Sequence, residues 1–454
     1  MEKEKEQIKF AIDILKILRK NNFEGYFVGG YVRDTLMKRE SADIDIATSA
    51  RPHEIVEIFT KENIKTVPTG LEHGTITVVY ENDNFEITTY RKDISCDGRN
   101  ATVEFASSIE EDLSRRDFTV NALAYCPFTD KYIDPFRGKR DIAFKTITTV
   151  GNPIDRFKED YLRMIRAFRF CSVLEFDLDI KVGEAIVKLN THNWEEKVSI
   201  ERIKSEIDKC FEKSDSPSVL FNGLLFSGML KKIMPELDRC FQFKQNKHHK
   251  HDVYFHTINA LNAVPKQYPL IRWAVIFHDL GKVIARRLNE DGTDFTFHNH
   301  EFFSVEIANE IMERMKFSNK DKEYIANLIV HHMFQYNDKM KDSAIRRLVA
   351  SLGEEYVDDL CIMKYADRVG KGKEAGELNV DSTRLKQRLK KIMERSKVLK
   401  VKDLAIGGNE VMRIKKISPS RLVGDYLKKL YEMVIETPKL NTKEQLEELL
   451  KEIE

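Results

Sequence analysis

Two aspartates separated by a single isoleucine, Asp43 and Asp45, follow a double glycine and an arginine in Gly29-Gly30-Tyr31-Val32-Arg33-Asp34. Ile44 and Ile46 alternate with the acids, so the stretch reads as a strand. Residues two apart on a strand point to the same face, about 7 Å apart. Carboxylates so placed can share Mg²⁺ ions, and a pair of such ions can hold the attacking and leaving oxygens of a displacement at phosphorus. Gly29 and Gly30 let backbone amides come close to a polyphosphate where a helix begins, and Arg33 adds a fork of donors. Glu86, in Phe85-Glu86-Ile87-Thr88, is a weaker candidate for a third carboxylate. Taken singly, a Gly-Gly turn is usually only a turn, and an Asp-x-Asp pair only a solvated strand edge.

The elements that must position these groups can be read from periodicity. Ile8, Ala11, Ile12, Leu15 and Leu18 predict an opening helix over residues 2 to 20, stopped by Asn21-Asn22. A short strand at Tyr26 to Val28, a glycine turn and a helix from Tyr31 towards Met37 follow, with further strands at Thr75 to Tyr80 and Phe85 to Tyr90. A small mixed sheet is therefore expected to about residue 150, and from Asp155 onward the pattern is helical almost throughout. The predicted fold class is α+β and multidomain. With 454 residues, about 150 per domain suggests roughly three units. The lysine- and histidine-rich stretch Lys244 to His251 separates two helical blocks and marks a boundary.

Composition narrows the classes. Lys and Arg number 75 against 74 Asp and Glu, a net charge of +1, so any nucleic-acid surface must be local, at Arg163 to Arg169 or Arg384 to Lys429. No run approaches the roughly 18 apolar residues of a membrane span, and Met1-Glu2-Lys3-Glu4-Lys5 begins no apolar signal core. The six cysteines, Cys96, Cys126, Cys171, Cys210, Cys240 and Cys361, form no close C-x-x-C pair, and a reducing cytoplasm fits them best.

Joined to Arg115-Arg116-Asp117-Phe118-Thr119-Val120-Asn121-Ala122, the glycine turn and acidic strand resemble the class II branch of the polymerase-beta-like nucleotidyltransferases, which holds the bacterial tRNA CCA-adding enzymes and poly(A) polymerases. The resemblance implies a head that adds nucleotides to an RNA 3′ end with two metal ions, one activating the terminal hydroxyl and one holding the triphosphate. It implies triphosphate and ribose binding by Arg116 and Asn121, with Arg115 less securely matched. Asp134-Pro135-Phe136-Arg137-Gly138 and Asp141 resemble the family's hinge between head and neck; core packing is the simple alternative for Phe136.

In Glu159-Asp160-Tyr161-Leu162-Arg163, Asp160 and Arg163 lie three apart on a predicted helix and so share one face. An ionised Asp only accepts and an Arg only donates. Cytosine and adenine each present an amino donor beside a ring-nitrogen acceptor and complement that pair, whereas uracil and guanine present the reverse and would leave charged groups facing like partners. A surface ion pair is the commoner fate of such spacing, but the segment resembles the motif with which class II CCA-adding enzymes read the incoming base. Arg166 and Arg169 match positions that contact nucleotide or the RNA end, and Ser199-Ile200-Glu201-Arg202-Ile203 resembles the next neck helix, with a structural role. Pro68 to Thr75 looks like the CCA-adding version and not the poly(A) polymerase one, and Tyr90-Arg91-Lys92-Asp93 through Asp97-Gly98-Arg99 looks like the intact loop that CC-adding enzymes lack in part.

Phe277-His278-Asp279-Leu280-Gly281-Lys282, with His256 upstream and Asp367 downstream, resembles the HD superfamily. That resemblance implies a divalent metal on His256, His278, Asp279 and Asp367, a mixed N/O set suited to Mn²⁺, Ni²⁺, Fe²⁺ or Mg²⁺. His300 and either His331 or His332 would reach a second metal or a substrate phosphate. Such a centre could hydrolyse phosphoesters, 2′,3′-cyclic phosphates at RNA ends among them, although HD domains of this kind can also be inert scaffolds.

The expected organisation is a nucleotidyltransferase head over 1–150, a helical neck over 151–243, an HD-type domain over 244–375 and a helical tail over 376–454 that docks the tRNA elbow through phosphates. The expected reaction is addition of C, C and A to tRNA from CTP and ATP with Mg²⁺, in the cytoplasm, with no membrane or DNA partner. A-adding, CC-adding and poly(A)-polymerase activities are the rivals within the family. Outside it stand an HD phosphohydrolase with a regulatory nucleotide-binding head, and a noncatalytic RNA-binding protein.

Overall fold

The computed structural model describes residues 2–40, 44–70, 74–81, 83–96, 101–247, 249–372, 378–395 and 400–453. Asp43, Leu71 to His73, His248 and the loop residues Asp97, Gly98 and Arg99 lie outside the described residues. The chain divides into two compact units, Met1–Pro235 and Glu236–Glu454.

In the first unit, α1 (Glu2–Lys20) leads into β1 (Gly25–Val28), α2 (Gly30–Leu36), β2 (Asp45–Thr48) and α3 (Pro52–Lys61). Strands β3 (Lys65–Gly70), β4 (Thr75–Tyr80) and β5 (Asp83–Thr89) follow, then the separate hairpin β6 (Arg91–Cys96) and β7 (Ala101–Phe105), helix α4 (Ile109–Ser114), and β8 (Ala124–Cys126) and β9 (Lys131–Ile133). The main sheet has the order β3-β4-β5-β2-β1-β8-β9. It is mixed: β2 and β5 run parallel, while β1 pairs antiparallel with both β2 and β8.

The alternation of side chains decides which face does what. Phe27, Ile46, Phe85 and Ile87 point to one face and pack with Leu15 of α1 and with Ile55 and Phe59 of α3. Burial of each such side chain contributes roughly 1.5–3 kcal/mol. The residues between them, Val28, Asp45, Ala47 and Glu86, therefore face the other way. That second face carries its own smaller apolar cluster around Val28, Ala47, Tyr90 and Leu113, and beside it stand the acids.

Beyond α5 (Gly138–Ala143) the unit is helical: α6 (Pro153–Glu159), α7 (Leu162–Leu174), α8 (Ile180–Asn190) and α9 (Ile200–Lys213). Helices α7 and α9 lie side by side, tied at one end by Asp160 with Arg202 and at the other by Ser172 with Ser214. On α9, Ile203, Ile207, Cys210 and Phe211 are buried, together with Glu206, which pairs with Arg166 and Arg169 of α7.

The second unit is built of helices, with one two-residue ladder, Arg287–Leu288 against Phe295–Thr296, among its described residues. Helices Val253–Asn262, Pro269–Phe277, Asn319–His331 and Val357–Gly370 pack together, and within the second of them the buried Trp273 stacks on Phe277 with ring centres 5.4 Å apart. Helices Gly408–Lys415, Arg421–Glu436 and Lys443–Glu452 close a further small core on Val411, Leu430, Val434 and Leu446.

Candidate active site and candidate metal centre

A cavity of about 670 Å³ opens on the acidic face of the sheet, within the size range of pockets that hold small molecules. Asp45 and Glu86 stand directly across from each other in the parallel pairing of β2 and β5, so both carboxylates face the cavity. The strand begins only at Asp45, and the second Asp of the pair lies outside the described residues.

The glycine turn lies on the same wall. Gly29 has φ +69°, and a Cβ there would come within 2.8 Å of an Arg116 guanidinium nitrogen. Gly30, the first residue of α2, has ordinary φ, so of the two glycines only Gly29 is required by the backbone. Arg33 donates its fork to the Asp34 carboxylate at 2.9 Å and to the Asn121 amide oxygen at 2.6 Å. Arg115 and Arg116 each donate to the buried Asp112 at 3.2 Å. Burial pushes the Asp112 carboxyl up, but the two guanidinium charges outweigh it and hold it below its usual value.

Across the cavity stands α7. Arg166 bonds Asp117 at 2.7 Å and Glu206 of α9 at 3.2 Å, and Arg169 donates to the other Glu206 oxygen. Asp117 is buried, which raises its pKa, yet the Arg166 charge and the Asn121 amide hold it down at about 2. Arg33, Arg166 and Arg169 all lie against the Phe170 ring, within 5.5 Å of its centre.

The expected single helix through Asp160 and Arg163 is not formed. Asp160 has φ −152° and ψ 106°, and it links α6 to α7 as extended chain. Its carboxylate accepts from the Leu162 amide at 3.1 Å and from Arg202 at 2.7 Å. Asp is a strong helix cap, and this contact starts a new helix where periodicity alone continues the old one. Both side chains still reach the cavity. Arg163 is held there by the Glu159 carboxylate and the Arg156 carbonyl.

Sequence reasoning missed Glu206, Asp112, Phe170 and the cationic side chains of α9, and gave Arg202 only a structural part. The spacing of Arg202, Glu206, Lys209 and Lys213 was the available signal, since it places one charged stripe along the flank of the apolar face that carries Ile203 and Ile207.

In the second unit the predicted ligands come together. His256, His278, Asp279 and Asp367 form one group, and Asp279, His300 and His332 form another, with the ligand atoms of each group within 4.8 Å of one another. One Asp279 oxygen lies 3.1 Å from His256 Nε2 and 3.3 Å from His278 Nε2. The other lies 3.2 Å from His300 Nε2. His331 turns away to Ser351, so of the two alternatives it is His332 that joins the cluster.

Three of the rings lie with Nδ1 on a carbonyl one turn earlier: His278 on Val275 at 2.7 Å, His300 on Phe297 at 2.7 Å and His332 on Ile329 at 2.6 Å. Carbonyls only accept, so Nδ1 carries the proton and Nε2 presents a lone pair. His300 and His332 thus set two acceptors 3.3 Å apart, and His256 and His278 have the same Nε2 spacing. A cation between such nitrogens relieves that repulsion. The donor set fits a divalent metal bound through imidazole and carboxylate.

Comparison with known proteins bears on both units. Residues 25–148 match the poly A polymerase head domain, and residues 256–371 match the HD domain. A CCA-adding enzyme of Bacillus mycoides is 45% identical over 221 residues, 48% of this chain and 53% of the relative, so the chain spans about half the length of that relative. A CCA-adding enzyme of Ligilactobacillus salivarius is 33% identical over 454 residues, 99% of this chain and 97% of the relative. This chain belongs to the CCA-adding enzyme family. The crystal structure of the Bacillus stearothermophilus CCA-adding enzyme in complex with CTP superposes with a TM-score of 0.74 at 26% identity, covering 98% of this chain and 97% of that one. Membership of this nucleotidyltransferase family implies a divalent metal, and Asp45 and Glu86 both line the cavity with carboxylates, groups whose oxygens suit such an ion. Among the described residues, no helix is long and apolar enough to cross a membrane.

Proposed function

We propose that this chain adds C, C and A in order to the 3′ end of tRNA, using CTP and ATP and releasing pyrophosphate. The observation that carries the reading is the shared cavity: Asp45 and Glu86 on one wall, Asp160 and Arg163 on the other, and the guanidinium groups between them. Arg33, Arg116 and Asn121 hold the triphosphate and ribose. Arg166 and Arg169, aligned by Asp117 and Glu206, face the phosphates from α7. Asp160 accepts from the amino group of cytosine or adenine while Arg163 donates to the adjacent ring nitrogen, so uracil and guanine are refused. Arg163 exchanges its Glu159 contact for the base as it does so. The new bond joins the RNA 3′ oxygen to the α-phosphorus, and the α–β bridging bond breaks with its electron pair leaving on pyrophosphate. Mg²⁺ ions on Asp43, Asp45 and Glu86 would supply positive charge to the triphosphate and acidify the 3′ hydroxyl. The four-part organisation over 1–150, 151–243, 244–375 and 376–454, with tail docking to the tRNA elbow, belongs to the same proposal. So does a cytoplasmic location, which suits the free thiols of Cys126, Cys171, Cys210, Cys240 and Cys361.

The test is a radiolabelled extension assay on tRNA ending at the discriminator base, comparing the wild type with Asp45→Ala and Glu86→Ala. Loss of extension in Asp45→Ala with retained folding supports the reading. Unchanged extension in both variants removes it.

A second reading stands beside the first because of the histidine cluster. Asp279 faces a histidine pair with each of its oxygens, so we propose a divalent metal on His256, His278, Asp279 and Asp367, with a second on Asp279, His300 and His332. Mn²⁺, Ni²⁺, Fe²⁺ or Mg²⁺ bound there would supply an acidified water for phosphoester hydrolysis. Lys282 and Lys371, which line a cavity of about 260 Å³ with Asp279, His300, His332 and Asp367, would hold the substrate phosphate. Ring opening of 2′,3′-cyclic-phosphate RNA ends to a 2′- or 3′-monophosphate, in which water adds to phosphorus and one ribose oxygen leaves as the hydroxyl, dependent on His278, is the matching assay.

A further inference from the structure

The nucleotide slot has a direction. One end is marked by Asp160, bonded to Arg202 near the start of α9. Further along α7, Arg33 of the glycine turn lies 5.5 Å from the Phe170 ring centre, so on the nucleotidyltransferase reading the polyphosphate end is the end beside Phe170. Helices α7 and α9 run in the same direction, with Asp160 opposite Arg202, Arg169 opposite Glu206 and Ser172 opposite Cys210. Moving along α9 from Arg202 is therefore moving from the base end to the phosphate end.

Lys209 and Lys213 lie 7 and 11 residues past Arg202 on one helical face, and both line the cavity. At about 1.5 Å per residue the stripe runs for roughly 16 Å. The arginines of the slot are already engaged by acids of this chain, whereas these two lysines are exposed. Lys209 touches only an edge of Glu206, at 3.3 Å, and that carboxylate is already shared by Arg166 and Arg169. Lys213 bonds no other described side chain.

We propose that Lys209 and Lys213 form a subsite for the terminal phosphates of the incoming nucleotide and for the pyrophosphate that leaves. This rests on the nucleotidyltransferase reading of the cavity and adds to it the path of the product. The lysines are point charges on flexible stems, suited to following a leaving anion. They touch no base, so CTP and ATP are affected alike.

The experiment compares wild type, Lys209→Gln, Lys213→Gln and the double variant, with Lys204→Gln as a control; Lys204 pairs with Asp208 and does not line the cavity. Steady-state extension gives KM for CTP, ATP and tRNA, and inhibition by inorganic pyrophosphate gives its Ki. Each single variant is expected to raise KM for both nucleotides and Ki for pyrophosphate by roughly two- to fivefold, and the double variant by on the order of tenfold, with KM for tRNA unchanged. A rise in KM for tRNA alone would assign the lysines to RNA, and no change at all would make them a solvated face; either result overturns the subsite. Direct titration of inorganic pyrophosphate onto the wild type and the double variant gives a readout independent of turnover. Extension by the wild type with unchanged variants sinks only the subsite, whereas a wild type that extends nothing sinks the reading beneath it.

Discussion

The two sites differ in how completely the protein satisfies its own polar groups. In the sheet-and-helix cavity, cation meets anion on the protein itself: Arg33 on Asp34, Arg166 on Asp117 and Glu206, Arg163 on Glu159, and Arg202 on Asp160. In the histidine cluster, Lys282 and Lys371 pair with Asp279 and Asp367 from one side, while on the other the Nε2 lone pairs of His300 and His332 lie 3.3 Å apart beside an Asp279 oxygen, acceptor against acceptor. A site of the first kind can stand empty at little cost and exchange one partner for another, as repeated binding and release of substrates requires. A site of the second kind is frustrated until a cation fills it, and then keeps it.

The comparison can be broken or sharpened by mutation, beginning with the largest effect. Asp45→Ala should abolish nucleotide addition while leaving metal content at the histidine cluster untouched, as read by elemental analysis of the purified protein. Loss of both together would mean that the two sites are not separable. His278→Ala should do the converse: bound transition metal falls, the metal-dependent gain in Tm disappears, and extension kinetics stay within about twofold.

Arg163→Ala removes the donor that refuses uracil and guanine. It should lower kcat/KM for CTP and ATP by roughly 10- to 100-fold and narrow their advantage over UTP and GTP, since a hydrogen bond to a charged group is worth about 1.5–3 kcal/mol. Equal losses for all four nucleotides would leave Arg163 a scaffold residue. Gly29→Ala places a side chain at φ +69° beside Arg116. A strain of about 1–2 kcal/mol is expected, read as a lower denaturant midpoint together with a higher KM for nucleotide.

A pH series tests how firmly the cavity acids are held. The folded Asp117 pKa, about 2, lies below the ordinary 3.8. Its contribution, on the order of 2 kcal/mol, is therefore present above pH 3.8 and is lost as pH falls towards 2. The stability difference between wild type and Asp117→Asn in urea should be constant from pH 7 to about pH 5 and shrink below pH 4. A difference that shrinks between pH 7 and pH 5 would mean the carboxylate is not held down.

Much of this was legible in the chain. The opening helix and the strand at Thr75–Tyr80 fall where periodicity put them, and the glycine turn precedes the acidic strand as expected. What could not be read were features that depend on one helix lying beside another. Glu206 is unremarkable in its own helix and becomes the anchor of Arg166 and Arg169 only because α9 packs along α7. The break at Asp160 was readable in principle, because Asp is a capping residue, but an unbroken apolar rhythm argued for one helix. The choice of His332 over His331 was also within reach: Ile325, Leu328 and Ile329 are buried, and His332 continues their face while His331 does not.

The most direct measurement is extension at single-nucleotide resolution of three tRNAs, ending at the discriminator base, after one C and after two, with CTP and ATP separately and together. The account predicts that CTP alone adds two residues and then stops, that ATP extends only the tRNA ending in two C residues, and that both together complete CCA and stop. Extension of that last tRNA alone under every condition would make the chain an A-adding enzyme, arrest after two C residues even with ATP a CC-adding one, and an open-ended run of A a poly(A) polymerase. Any of these would contradict the account.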